Sequence, residues 1–193
     1  MLQTLPDIDR AIAEGQTASA RDLLAEAARK AGDILSAQQV AERYIQLGLF
    51  APADRLYRKA LALAPNDAGL LYNAATAAIA LGKMADAEAW LAKVIALKPD
   101  DYDAYYNRAT LRRWTADNNH IHAMETLLKA GIPDRKGAVQ LFYALAKEYE
   151  DISETEQSFG HLVRGANLRA SMMRYDVGQD VGTMAKIAKV FDA

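Results

Sequence analysis

YIQLGLFAPADRLYRKALALAP, residues 44–65, is poor in reactive side chains, and it returns 34 residues later, recast, as AIALGKMADAEAWLAKVIALKP at 78–99. Leu47-Gly48 is matched by Leu81-Gly82, Ala53 by Ala87 and Pro65 by Pro99. Repetition of this kind builds architecture more often than chemistry. Within residues 66–99 the apolar positions Leu70, Leu71, Ala74, Ala75, Ala78 and Leu81 recur at three- and four-residue steps, the spacing of one helix face. Gly82 breaks the pattern, Met84, Ala87, Leu91, Val94, Ile95 and Leu97 resume it, and Pro99 ends it. The unit is two helices joined by a tight turn. Ala75 and Ala87 let the antiparallel helices approach closely, and Gly82 supplies the backbone freedom the turn needs.

The same grammar fits residues 34–65, where Tyr44, Leu47-Gly48, Ala53, Tyr57, Ala60 and Pro65 mark the corresponding points. Upstream, Gly15, Ala20, Leu24 and Ala27 align with Gly48, Ala53, Tyr57 and Ala60 after a one-residue deletion. Downstream, YYNRA at 105–109 mirrors LYNAA at 71–75, but the turn becomes WTADNN and the helix from about His120 to Ala130 loses the signature. A fifth pair follows Pro133-Asp134, with Phe142, Leu145, Ala146, Tyr149 and Ile152 on its first helix and Phe159, Leu162, Ala166 and Leu168 on its second. Val181, Met184, Ile187, Ala188 and Phe191 mark one last amphipathic helix, expected to cover the end of the stack. This pattern resembles the tetratricopeptide repeat, a 34-residue helix-turn-helix with small residues at its close contacts and a proline near its end. The expected fold is all-α, a right-handed α-solenoid of about five such pairs over residues 1–175, with a capping helix over 176–193.

A chain of 193 residues with 51% hydrophobic and 25% charged residues is expected to fold as one soluble unit. Its net charge of -2 gives no global attraction for nucleic acid, which is not expected as a partner. There is no cysteine, so thiolate nucleophiles, disulfides and cysteine metal sites are excluded. The start MLQTLPDIDRAIAEG lacks a basic stretch followed by a long apolar run, and no apolar segment is long enough to span a bilayer. The expected location is the cytoplasm, with no membrane partner.

The resemblance implies a concave surface lined by the first helix of each pair, with the second, fifth, sixth, ninth, twelfth and thirteenth positions of that helix facing inward. On that register the fifth positions are Gln38, Tyr72, Tyr106 and Tyr143, a ladder of three tyrosines suited to holding peptides. The alternative is that these rings pack on the adjacent helix. The sixth positions are Asn73 and Asn107, whose amides offer both a donor and an acceptor to a ligand backbone. Glu42, Thr76, Thr110 and Lys147 follow at the ninth, and Arg113 and Glu150 at the twelfth. One subgroup of the family clamps chaperone carboxyl termini with asparagine, lysine and arginine, but Gln38, Glu42 and Asp103 stand where that clamp needs other residues. Arg108, Arg112 and Arg113 form a basic cluster that either docks an acidic segment or is neutralised within the fold.

His120 and His122 fall on different helix faces, and no HExxH, GxSxG, GxxxxGK or GxGxxG pattern occurs. No metal, cofactor or catalytic residue is expected. The acidic stretch KEYEDISETEQ is expected to lie mostly on a solvated helix face. Residues 141–176 also resemble the last helical pair of the repeat region of bacterial tetratricopeptide-sulfotransferase proteins, on Phe142, Ala144, Leu145, Lys147, Tyr149, Glu150, Asp151, Phe159, Leu162, Gly165, Asn167, Leu168, Arg169, Tyr175 and Asp176. Ala146 and Ser153 stand where that pattern has glycine, and the donor-binding loop of the sulfotransferase domain is absent from these residues. The primary expectation is therefore a non-catalytic scaffold holding a protein or peptide segment in its groove, with self-association compatible. The alternative is the N-terminal arm of a sulfotransferase.

Overall fold

Aspartates at 33, 67, 101 and 134 organise the molecule. Each begins the first helix of a pair by accepting hydrogen bonds from backbone N–H groups two or three residues on: Asp33 from Ser36, Asp67 from Leu70, Asp101 from Ala104, and Asp134 from Lys136 and Gly137. Such caps satisfy otherwise orphaned donors and stabilise a helix by about 1 kcal/mol each. The computed structural model describes residues 4–173 and 176–191. Among these lie eleven helices: α1 (Leu5–Ala13), α2 (Thr17–Lys30), α3 (Ile34–Gln46), α4 (Phe50–Leu63), α5 (Ala68–Ala80), α6 (Met84–Leu97), α7 (Tyr102–Ala109), α8 (Ile121–Ala130), α9 (Arg135–Asp151), α10 (Thr155–Met172) and α11 (Val177–Phe191). They form a right-handed solenoid of five pairs followed by one further helix. The expected boundary residue Tyr175 lies outside the described residues.

Gly15, Gly48 and Gly82 take φ of 70°, 69° and 72° at the turns α1–α2, α3–α4 and α5–α6, the left-handed conformation that a side chain disfavours. The α9–α10 turn reaches the same conformation at Ser153, φ 67°, without a glycine. Small residues sit where the helices touch: Ala53, Ala60, Ala75 and Ala87 are fully buried.

One apolar cluster runs from Leu5 to Ala104 through the first three pairs. A smaller one gathers Tyr105, Ala109, Ile121, Met124, Leu141, Ala144 and Leu145. The boundary falls within α7, which leans on α9 rather than on its sequence partner α8. The close approach of α9 is built on Gly137, where a Cβ would fall 2.0 Å from the Tyr102 ring.

The eleventh helix forms where the periodicity places it, but none of its residues is buried. Its apolar residues, Met184 and Phe191 among them, face out of the single chain and cover no neighbour. Three of the four earlier links between pairs carry proline ahead of the capping aspartate, at 65–67, 99–101 and 133–134, whereas the first is Ala31-Gly32-Asp33 and the sequence at 173–176 is Met-Arg-Tyr-Asp.

Candidate peptide-binding groove

Tyr72, Tyr106 and Tyr143 stand on α5, α7 and α9, one per first helix, and each is half-buried. The first two rungs are joined, because Asn107 Nδ2 donates to the Tyr72 hydroxyl at 2.9 Å. Burial pushes the Tyr72 phenol above its ordinary pKa, and the nearby Asp103 charge adds to this. That hydroxyl stays protonated at neutral pH.

Tyr106 and Tyr143 border two adjoining cavities of about 480 and 400 Å³, and Arg169 from α10 reaches both. Lys136, Gln140 and Met172 complete the first cavity. Thr110, Lys147, Glu150 and Leu162 complete the second. The outer edge of the Tyr143 ring lies along α10 at Gly165, where a Cβ would come 2.8 Å from its Cε1. The Tyr143 ring is therefore packed along one edge and open to the cavities along the other. Lys136 and Arg169 have no ion pair among the described residues, and Lys147 Nζ is held by Asp151 at 2.5 Å. The walls thus offer two aromatic rings and two uncommitted cations, a combination suited to an extended segment carrying apolar and acidic side chains.

The remaining expected residues are dispersed. Gln38 donates to Glu42 at 3.0 Å, so that end of the groove pairs with itself. Thr76 returns its hydroxyl to the Tyr72 carbonyl at 3.1 Å, and Asn73, half-buried, borders neither cavity. Arg113 borders neither cavity: α7 ends at Ala109, so the helical register expected to aim Arg113 inward stops one turn short. Its Nε instead donates to the Asp151 carbonyl at 3.2 Å. Gln140 was readable as the second position of α9. Lys136 lies before that register begins, and Arg169, Leu162 and Met172 belong to a second helix that repeat periodicity does not assign to the groove.

The segment 110–120 replaces the glycine turn of the earlier repeats by an anchored loop. Trp114 is buried, its indole N–H donates to the Ala109 carbonyl at 2.8 Å, and its backbone N–H donates to Asp151 Oδ2 at 3.0 Å. Arg112 lies over the indole at 3.8 Å and forms a two-pronged pair with Glu88 at 2.9 and 3.2 Å. His120 closes the loop on Glu148, through its backbone N–H at 2.5 Å and its Nδ1 at 2.9 Å. Glu148 is 0% exposed, the exception on a stretch whose Glu150, Glu154 and Glu156 are exposed as expected. Its burial was not readable because α8, lying over α9, cannot be located from the α9 periodicity alone. Arg108, 8% exposed, also sits inside the fold; burial lowers its pKa and the Glu148 charge opposes that shift. Within the basic cluster, Arg112 is thus paired with Glu88 and Arg108 faces the Glu148 charge, while Arg113 donates to the Asp151 carbonyl. The three histidines do not converge, since His161 stacks on Tyr149 at 5.4 Å while His122 is exposed. Among the described residues no group of three or more His, Asp or Glu could hold a metal, and no helix is long and apolar enough to cross a membrane.

The tetratricopeptide-repeat family model matches residues 44–111, which include both copies of the founding unit. Residues 44–111 carry tetratricopeptide repeats. Its fold is shared with a MamA crystal structure, at 16% identity and a TM-score of 0.65 over 87% of this chain and 97% of that one. MamA from Desulfovibrio magneticus RS-1 gives 20% identity and a TM-score of 0.63, covering 86% of this chain and 93% of that one. A putative kinesin light chain repeat protein of Podosopora anserina gives 16% and 0.66, covering 89% and 95%. At these identities the likeness shows the fold alone. No curated protein matches the sequence.

Proposed function

We propose that this tetratricopeptide array is a non-catalytic scaffold that holds a peptide segment of a protein partner in the concave groove. The observation that carries this reading is the pair of adjoining cavities sharing Tyr106, Tyr143 and Arg169. Rigid aromatic rings beside uncommitted cations supply binding energy at low entropic cost, as peptide-recognising surfaces do. The Tyr72–Asn107 bond extends the aromatic row toward α5 and stiffens it before a ligand arrives. Selection of peptides from a displayed random library tests the reading, with the wild type and Tyr106→Ala/Tyr143→Ala compared side by side. Both rings are only half-buried, so the variant is expected to keep its circular dichroism and melting profile while losing the selected peptides by about 100-fold in affinity. Equal retention by a folded variant would remove the groove as the binding site.

A second reading, the arm of a sulfotransferase, is supported by the coincidence of the resembling stretch 141–176 with one structural pair, α9 and α10. Following the open reading frame beyond Ala193 tests it: a continuation into a GxPRSGTT-like loop would support it.

A further inference from the structure

The far end of the stack holds two bare apolar stripes in one chain. On α10, Phe159, Leu162 and Val163 are exposed, Phe159 at 64%, and with Ala166 and Ala170 they fall within one 100° sector of the helix. The stripe that α10 buries, through Gly165, lies on a different side, against α9. On α11, Val177, Val181, Met184, Ala188 and Phe191 form a second stripe at steps of three and four, all exposed, Met184 at 71% and Phe191 at 83%.

Elsewhere in the molecule a second helix is covered by the first helix of the following pair. Thus α4 packs on α5 as well as on α3, and α6 packs on α7 as well as on α5. The bare stripe of α10 continues that stacking interface and has room for one more first helix. Its α11 begins as first helices do, with Asp176 Oδ1 accepting from the Gly178 N–H at 2.9 Å, but it buries nothing. The chain therefore presents a docking face and a helix patterned to fill it, held apart. Because both belong to the same polypeptide, a second copy supplies each with its complement at once, in a closed twofold arrangement with no surface left over. We propose that two copies of this chain exchange α11, each laying its Val181–Met184–Phe191 stripe along the Phe159–Leu162–Ala166 stripe of the other. The antiparallel register of the stack sets Ala166 opposite Met184 and Phe159 opposite Phe191.

The chain has no cysteine, so an introduced pair is the only thiol chemistry present. One full-length variant carries Ala166→Cys and another Met184→Cys; they are mixed, mildly oxidised and run on a non-reducing gel. The exchange predicts a mixed disulfide dimer and, for the unmodified protein, a mass of two chains by light scattering that falls toward one on dilution. Val181→Glu/Phe191→Glu is expected to be monomeric throughout that series, with the same helical content as the wild type. A double variant carrying both cysteines that forms an intrachain bond instead, with a one-chain mass, would show α11 folding back on its own α10 and overturn the proposal. A one-chain mass with no disulfide in either arrangement would also overturn it, leaving the stripes to a different domain or partner.

Discussion

The second and third repeats and the fourth solve the same problem by opposite means. In the former, a glycine turn and fully buried alanines bring two helices together with hardly a polar side chain at the contact, Asp54 excepted. In the latter, α7 stops after eight residues and a loop is tied to α9 through Trp114, His120, Glu148 and Asp151. A repeat can therefore lose its sequence signature and keep its place in the stack, provided the neighbouring repeat supplies the anchors. The cost is a buried charge, and buried charges fail abruptly when a partner is removed.

Removing the indole should have the largest effect. Trp114→Ala empties a fully buried site and frees the loop, and is expected to cost about 4 kcal/mol in urea denaturation. Because its indole and backbone bond to Ala109 and Asp151 and its ring meets His120, the loss should fall on residues 105–172 in hydrogen exchange, with the glycine-turn repeats retaining protection. Uniform loss across the chain would mean that the two clusters unfold as one.

Glu148→Ala comes next. It leaves the His120 N–H without its acceptor and Arg108 buried without its counter-charge, for about 3 kcal/mol. Replacing both charges, Arg108→Met with Glu148→Leu, should recover most of that loss. Failure of the double variant to recover would show that the His120 bonds matter more than the Arg108 charge.

The glycine-turn repeats have a smaller electrostatic seam of their own. Asp54 is buried on α4, and burial alone would raise its pKa, but hydrogen bonds from Lys83 and Arg58 outweigh this and hold the carboxyl below its usual value. A carboxyl depressed on folding stabilises the native state above the unfolded pKa and ceases to do so as pH falls through the folded one. Asp54→Asn should cost about 1.5 kcal/mol at pH 7, and the difference from wild type should shrink as the pH is lowered below about 4. A difference that stayed constant down to pH 2 would assign the effect to packing.

Legibility in the sequence followed the same division. Gly15, Gly48 and Gly82 and the buried alanines repeat at fixed spacing because each performs one local steric task, and they located the pairs without structure. The capping aspartates were equally periodic but fell in polar links, where one aspartate looks like any other. The surroundings of Arg113 and Glu148 were not legible because they are set by a loop and by a helix distant in sequence. The register positions of Tyr106 and Tyr143 on first helices follow from the same periodicity as the glycines, whereas Arg169 enters the cavities they line from α10, on a face that repeat periodicity leaves unassigned.

Ser153 offers the smallest and most direct test of the comparison. It takes the left-handed conformation of Gly48 and Gly82 at the corresponding turn, yet carries a side chain, and that conformation costs a non-glycine residue about 1 kcal/mol. Ser153→Gly relieves the strain but gives the unfolded chain more freedom, so the net gain should be below about 1 kcal/mol. The reciprocal Gly48→Ser has open space around its Cβ, so no clash contributes and its cost isolates the backbone strain. If the turns are equivalent, the two changes should be opposite in sign and similar in size when read from urea midpoints at constant m-value. If instead Ser153→Gly is neutral and Gly48→Ser costly, the α9–α10 turn must be held open by its neighbours, as α7 and its loop are held by α9, and the fifth pair would then belong with the fourth.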